Sequence, residues 1–504
     1  MNKNIVLINF YSPKSLGIRY LEGALTEAGF DVTVIYFKGF HSIRPQMPTT
    51  GEIESLIGLI SEREPLLIGF SVMSSLYLEA VEMVSVEMRK QLKFPMVWGG
   101  VYATMFPERC LEHCDYVLRG ECEEALCELA GRLYEGTGLE DMLNLAFRRE
   151  NEVVVNPVRP LVTDLDGLKM APIGQGSKYF IDGEARAIDP ILTSYSYETA
   201  CSRGCPFVCA YCSTVGLKRI YRDNRHFLRF RSVDSVISEL KAAKAAMKGL
   251  AIVHFWDEIF SDDEEWIAQF ATRYREEIGL PFDIWAHPMK TTLPLLKKLR
   301  EAGLYQVVMG IQSGSPTVRK QAFHRVESQE QVFAAAQALT DAGIPRVIYD
   351  LILRHPFESV EQIRESYELC DKLPGNFTLQ LHDLNFLPGT DIVEEALQKG
   401  IFTHEQMDAI MYAPMAKQYA TWWETGSDNA DVNFWYHLIY MTQFKNLKRV
   451  ARRLAMDMDA GKPGVREKAE SYFRKGKRAA RFRHYRQKGF AVLIGKLKRA
   501  SPYQ

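Results

Sequence analysis

Strand and helix signals alternate along this chain in two successive blocks, and that alternation restricts its fold more than any other feature. In the first block, apolar runs at 4–10, 31–37, 66–72, 95–100 and 115–120 read as strands, and amphipathic stretches at 15–29, 77–92 and 123–136 read as helices. Strands separated by helices pair in parallel, so the block is a doubly wound sheet with ligands gathering at the strands' carboxyl ends. The loops there are 71–75 (SVMSS), 99–104 (GGVYAT) and 119–121 (RGE), each able to present backbone N–H groups to a polar ligand. In the second block, strands at 251–260, 282–288, 305–315, 347–353 and 377–390 alternate with helices at 232–247, 263–277, 293–303, 329–343 and 359–373. These units fit a partial (β/α)6 barrel and are too few for eight. The chain therefore reads as α/β: residues 1–140 a first domain, 141–195 a linker with a small β excursion, 196–395 a partial barrel, and 396–504 a helical C-terminal region.

Between the blocks stands the run GCPFVCAYC, which places Cys205, Cys209 and Cys212 on one tight loop. A cubane iron–sulfur cluster takes four thiolates, so a local set of three leaves one iron open to an outside ligand. That turns a cluster from an electron wire into a reagent. A zinc site completed by Cys201 is the competing reading, although structural zinc prefers four ligands, often as two separated pairs. Gly204 and Pro206, framing Cys205, favour the cluster. Nine cysteines in 504 residues are neither dense nor even enough for a disulfide framework. The opening MNKNIVLINF reads as a buried strand, not a cleavable signal. No apolar run approaches the ~20 residues of a membrane span. Free thiols and an oxygen-sensitive cluster both suit a reducing cytoplasm.

The cysteine spacing, with Tyr211 before the last thiol, resembles the radical S-adenosylmethionine (SAM) superfamily. There the open iron is chelated by SAM, whose reductive cleavage yields a 5′-deoxyadenosyl radical. The resemblance implies a [4Fe-4S] cluster on the three cysteines and Tyr211 against adenine. It puts Asp257 and Glu258 near the SAM α-amino group, and Gly310, Gln312 and Ser313 of GIQSGS on ribose and carboxylate. Gln312 stands where relatives often have Glu, and Arg354 and Phe357 where they often have glycine. LNFLPGT (384–390) matches the close of the core. The first third is similar to the Rossmann/flavodoxin-like cobalamin (B12)-binding domain of one radical SAM subclass. That likeness implies cobalamin contacts from Leu16, Gly17, Ser71, Ser74, Gly99, Gly100, Val101, Tyr102, Ala103, Thr104, Gly120 and Glu121. Tyr102 replaces a histidine common in relatives. The signature Asp-x-His-x-x-Gly is absent, and neither His41 nor His113 has its context, which implies cobalamin without a histidine ligand. A flavodoxin-like scaffold that has lost its ligand is the plain alternative, because fold does not establish ligand.

As a whole, the resemblance implies a cobalamin-dependent radical SAM enzyme supplied by a donor such as flavodoxin or ferredoxin. The leading outcome is C-methylation of a small or lipophilic metabolite; cyclisation, ring rearrangement or oxidation with the same front domain is the alternative. A tRNA methylthiotransferase would need a second cysteine triad near the start, and Cys110, Cys114, Cys122 and Cys127 come too late. A non-catalytic regulator would cleave no SAM. Trp256, Trp285, His287, Tyr349, His382, Trp422 and Trp423 are candidates to face substrate, and Trp435 and Tyr436 read as core. Residues 441–504 hold 19 Lys and Arg against 4 Asp and Glu, in a chain of net charge −1. A solvated tail is the first reading of such a run, peripheral contact with an anionic membrane the second, and nucleic acid the last.

Overall fold

A computed structural model of the chain describes residues 2–39, 45–150, 152–222, 226–424 and 427–496, with side chains omitted at 421–424 and beyond 480. The first block folds around β1 (Asn4–Phe10), β2 (Asp31–Phe37), β3 (Leu67–Ser71), β4 (Met96–Gly99) and β5 (Tyr116–Leu118). Ile5, Val6, Leu7 and Ile8 are all at most 1 % exposed, as expected of a central parallel strand covered on both faces. Each such side chain contributes roughly 1.5–3 kcal/mol by burial. The first sheet also takes β6 (Leu145–Arg149), β7 (Glu152–Val155), β8 (Ser177–Asp182) and β9 (Glu184–Arg186), in the order β7-β6-β5-β4-β3-β1-β2-β8-β9. Four strands thus come from the stretch read as linker. The helix Thr50–Arg63 joins β2 to β3, opened by a capping box of Thr49 and Glu52, and it was not foreseen.

β1 pairs in parallel with both β2 and β3. The chain therefore reverses its direction of travel across the sheet beside β1. At such a switch point the loops leaving neighbouring strands diverge and open a crevice at their carboxyl ends. The 71–75, 99–104 and 119–121 loops follow β3, β4 and β5 on that edge.

The second block begins at β10 (Ser196–Thr199), followed by a two-stranded antiparallel ribbon of β11 (Ser202–Arg203) and β12 (Arg229–Phe230). β13 (Ile252–Phe255), β14 (Phe282–Ala286), β15 (Leu304–Gln312), β16 (Arg346–Leu353) and β17 (Thr378–Asp383) complete a six-stranded parallel sheet in chain order, with β10 and β17 at its edges. Val253, Phe255, Ile284, Val307, Met309, Val347, Tyr349 and Leu351 pack in one core with the intervening helices. By the two-residue period of a strand, His254, Trp256, Asp283, Trp285, Val308, Gly310, Gln312, Asp350 and His382 share the opposite face.

The C-terminal helices bind both blocks. Phe434, Trp435 and Tyr436 of the helix Ala430–Thr442 join the barrel's core, with Trp435 5.4 Å from Tyr367. Met415 and Tyr419 of the helix Met415–Glu424 join the core of the first sheet. Trp422 and Trp423 lie outside the described side chains. No helix among the described residues is long and apolar enough to cross a membrane.

Candidate active site

The loop carrying the three cysteines is gripped at both ends. At its start, Asp257 receives the Cys201 N–H on both carboxylate oxygens at 3.0 and 3.1 Å, and the Ser202 hydroxyl on one of them. Gly204 has φ +92°, and a Cβ there would stand 2.2 Å from the Phe227 carbonyl oxygen, so only glycine lets the chain turn against β12. Further on, Ala210 donates to the Phe323 carbonyl at 3.0 Å and accepts from the Ile392 N–H at 2.9 Å. Phe207 stacks on His287 with centroids 3.8 Å apart. Cys205, Cys209 and Cys212 are half-buried on this loop, whereas Cys201 is fully buried in the barrel core. Its burial removes the fourth ligand that a zinc reading would require. Among the described residues no three His, Cys, Asp or Glu side chains converge as one mononuclear ion demands; a cubane binds each thiolate through a different iron. Burial pushes the Cys205 thiol up to about 12 and raises Cys212, so iron has to displace their protons.

Arg325 joins the loop to the barrel. Its guanidinium donates to the Gly310 carbonyl at 2.7 Å, to Tyr211 Oη at 3.2 Å and to Glu327 at 2.6 Å, and reaches 4.0 Å from Cys209 Sγ. Tyr211 meets Phe323 edge-on at 5.1 Å, so packing within the loop accounts for part of its ring.

Several expected SAM contacts have other work. Asp257 is 2 % exposed and its oxygens serve the cluster loop, which corrects its assignment to the SAM amino group. Ser313 is fully buried, its hydroxyl accepting from Ser315 N–H at 3.1 Å inside the turn. Glu258 is solvent-accessible yet ringed by protein, and that enclosure raises its pKa. It remains open to a cationic partner. Gly310 and Gln312 are half-buried on the concave face, Gln312 with φ +66° at a register shift against β16.

Deeper on that face, Trp256 is half-exposed and lies 5.7 Å from Trp285, above a His254–Asp283 pair at 2.6 Å. Burial raises Asp350 to about 7 and lowers His382 to about 4. His287 is buried against Phe207, and Tyr349 is in the core.

At the sheet edge of the first block, Leu16, Ser71, Ser74, Gly99, Gly100 and Val101 are half-exposed and Gly17 is open. Gly100 has φ +106°, and a Cβ on it would meet the Val72 carbonyl oxygen at 2.6 Å. Met73, 52 % exposed, stands beside them and was not singled out from the sequence. This small, partly apolar rim fits the face of a corrin. Behind it Tyr102, Ala103 and Thr104 are buried. Desolvation pushes the Tyr102 hydroxyl well above its ordinary value. The rim opens toward the barrel: Lys14 donates to Ser196 at 2.7 Å, and Met105 wedges against Gly216 and Gly389, where added Cβ atoms would approach its Cε to 2.6 and 2.4 Å. His113 is engaged by Trp98 and Glu82; His41 lies outside the described residues.

The Radical SAM superfamily profile matches residues 199–370, and the B12 binding domain profile matches residues 8–130. The chain belongs to the radical SAM enzymes that carry a B12-binding domain. An uncharacterised methyltransferase of Pyrococcus horikoshii is 25 % identical over 350 residues, spanning 68 % of this chain and 72 % of its own length. Cytidylyl-2-hydroxyethylphosphonate methyltransferase of Streptomyces wedmorensis is 23 % identical over 447 residues, 78 % of this chain and 79 % of that protein. The solved radical SAM methyltransferase TsrM of Kitasatospora setae, with cobalamin and a [4Fe-4S] cluster bound, shares the fold at TM-score 0.63 and 16 % identity, covering 90 % of this chain and all of that one.

This radical SAM enzyme accordingly uses a [4Fe-4S] cluster, SAM and cobalamin, and the residues present fit all three. The half-buried thiols are free of disulfides, the concave face offers Glu258 and Gln312, and the rim keeps glycine at Gly100, where a Cβ would meet the Val72 carbonyl. Arg325 is the residue that sequence reasoning missed. It lies thirteen positions past Gln312 with no periodic or motif signal of its own.

Proposed function

We propose that this radical SAM enzyme is a cobalamin-dependent methyltransferase acting on an unactivated carbon of a small or lipophilic metabolite. When bound, the cluster and SAM supply a 5′-deoxyadenosyl radical, and cobalamin supplies a methyl group. The chain's own contribution is positional. Cys205, Cys209 and Cys212 would hold the cluster, Glu258, Gly310 and Gln312 would orient SAM, and the rim from Leu16 to Val101 would hold cobalamin. Trp256 and Trp285 form an apolar wall for substrate, and the enclosing domains exclude water.

The observation that carries this reading is the placement of the glycine rim beside the cluster loop, with Met105 seated between Gly216 of the cluster segment and Gly389 of the closing turn. A methyl donor held there lies next to the site where a substrate radical would form. The methyltransferase names of both sequence relatives support the same outcome. A flavodoxin or ferredoxin would deliver the electron, and the basic C-terminal segment would be a solvated tail, with peripheral contact to an anionic membrane surface the second reading.

The test is anaerobic reconstitution with iron, sulfide and hydroxocobalamin, followed by a low-potential one-electron reductant such as reduced flavodoxin, SAM labelled on its methyl group and a metabolite extract. Equal 5′-deoxyadenosine and S-adenosylhomocysteine, with label in a carbon-bound methyl group, is the expected result. 5′-Deoxyadenosine without S-adenosylhomocysteine would overturn methylation in favour of cyclisation or rearrangement.

A further inference from the structure

Glu121 follows β5 on the edge assigned to cobalamin, yet its carboxylate has no capacity left for a ligand. A carboxylate offers about four lone-pair sites. Here Oε1 accepts from Arg229 at 2.9 Å and Arg203 at 3.2 Å, and Oε2 accepts from Arg229 at 2.9 Å and the Val162 N–H at 2.8 Å. Burial works against its ionisation, but the Arg229 hydrogen bonds and the Arg203 charge outweigh that and hold its pKa below the usual range. Both arginines belong to the barrel segment, where they face each other across the β11–β12 ribbon. Arg203 is two residues before Cys205 and is held by Glu123 as well, at 2.6 Å.

On its other side the same loop is bonded to the glycine rim. The Thr104 hydroxyl donates to the Gly100 carbonyl at 2.8 Å and accepts the Gly120 N–H at 2.9 Å. The Glu121 N–H donates to the Tyr221 hydroxyl at 3.1 Å. Hydrogen bonds therefore run from Gly100 through Thr104 to Gly120, and, across the Gly120–Glu121 peptide bond, from the Glu121 carboxylate to Arg203 at the threshold of the cluster loop.

We infer that Glu121 is a positioning residue that fixes the cluster loop to the cobalamin rim, so that occupancy of either cofactor site favours the other. The inference rests on the cofactor placement proposed above. An ordinary interdomain ion pair would add stability without linking the two sites. Linkage, in contrast, is reciprocal and appears as a change in one ligand's affinity when the other is present.

The experiment uses the full chain under anaerobic conditions, in cluster-free and iron–sulfide-reconstituted forms. Hydroxocobalamin is titrated by equilibrium dialysis into wild type, Glu121→Gln and Arg229→Lys. In wild type, reconstitution should tighten hydroxocobalamin by at least about fivefold, the lower range of typical coupling. In Glu121→Gln the ratio of the two Kd values should fall within about twofold of unity, while iron still loads to the wild-type level. Arg229→Lys, which keeps the charge but loses the fork, should give an intermediate ratio, and it decides the matter if the glutamine variant does not fold. A wild-type ratio near unity, or a wild-type ratio retained in both variants, overturns the linkage while leaving the enzyme reading intact. Failure of wild type to bind iron or hydroxocobalamin in any form would instead overturn the cofactor placement itself.

Discussion

Replacing Asp257 separates the two things its carboxyl does: it accepts hydrogen bonds for the cluster loop, and it carries a buried charge. Burial is the largest influence on it and raises its pKa from an ordinary 3.8 to about 6 despite the Cys201 and Ser202 hydrogen bonds. For an acid raised in this way the fold favours the neutral form. Its contribution is full below pH ~4 and is lost as pH climbs through about 6. At 1.36 kcal/mol per pH unit the whole loss is about 3 kcal/mol, of which about 1.4 kcal/mol falls between pH 5 and 8. Asp257→Asn keeps an acceptor and cannot ionise, so its curve should be flat to within about 0.5 kcal/mol over that interval. Asp257→Ala leaves the Cys201 N–H and the Ser202 hydroxyl buried without a partner, at about 1–3 kcal/mol each. It should therefore lie about 2–6 kcal/mol below Asn at both pH values. The assay is hydrogen exchange of peptides spanning 199–205 in the cluster-free protein, corrected for intrinsic exchange, which reads local opening free energy without requiring global two-state unfolding. A wild-type curve parallel to Asn would refute the buried-charge argument. Asn as labile as Ala would refute the acceptor argument.

Three further outcomes are expected. Cys201→Ala should retain about four iron per reconstituted chain, whereas Cys205→Ala should lose most of the iron and all 5′-deoxyadenosine formation; equal iron in both would return Cys201 to the ligand set. Gly389→Ala should destabilise the protein by about 1–3 kcal/mol, through the left-handed φ of +75° together with overpacking on Met105, and adding Met105→Ala should recover only the packing part in urea unfolding; full recovery would refute the backbone contribution. Glu358 is raised to about 8, chiefly by burial, so its stabilising share is full below pH ~4.5 and lost as pH rises to about 8. Glu358→Gln should therefore gain stability relative to wild type between pH 5 and pH 9, and an unchanged difference across that range would show that the carboxyl is not enclosed.

The features legible in the sequence are those encoded within a few residues. Cysteine spacing sets the cluster loop, glycine at 99–100 and 204 announces close turns, and two-residue and 3.6-residue periods separate strands from helices. The helix Thr50–Arg63 was missed although Thr49 and Glu52 spell a capping box, because its glycines and polar residues blur the amphipathic stripe. β8 and β9 went unread for a related reason: β8 is mostly half-buried and β9, at the sheet edge, exposes Glu184 and Ala185, so neither carries a clean buried alternation. Asp257 and Glu121 failed differently. Both stand at strand exits where ligand contacts are expected, and nothing local tells whether such a carboxylate turns toward a ligand or toward protein donors. Their partners are 55 to 56 and 108 residues distant for Asp257 with Ser202 and Cys201 and for Glu121 with Arg229. The Glu121 pairing is created only when the two blocks dock, and the Asp257 pairing only when β13 pairs with β10 inside the second block. Glu121, inferred to link the cofactor sites, is thus a residue that a reading by motif assigns to a cofactor itself. An acid at a strand exit should be counted as a ligand only after its lone pairs have been counted.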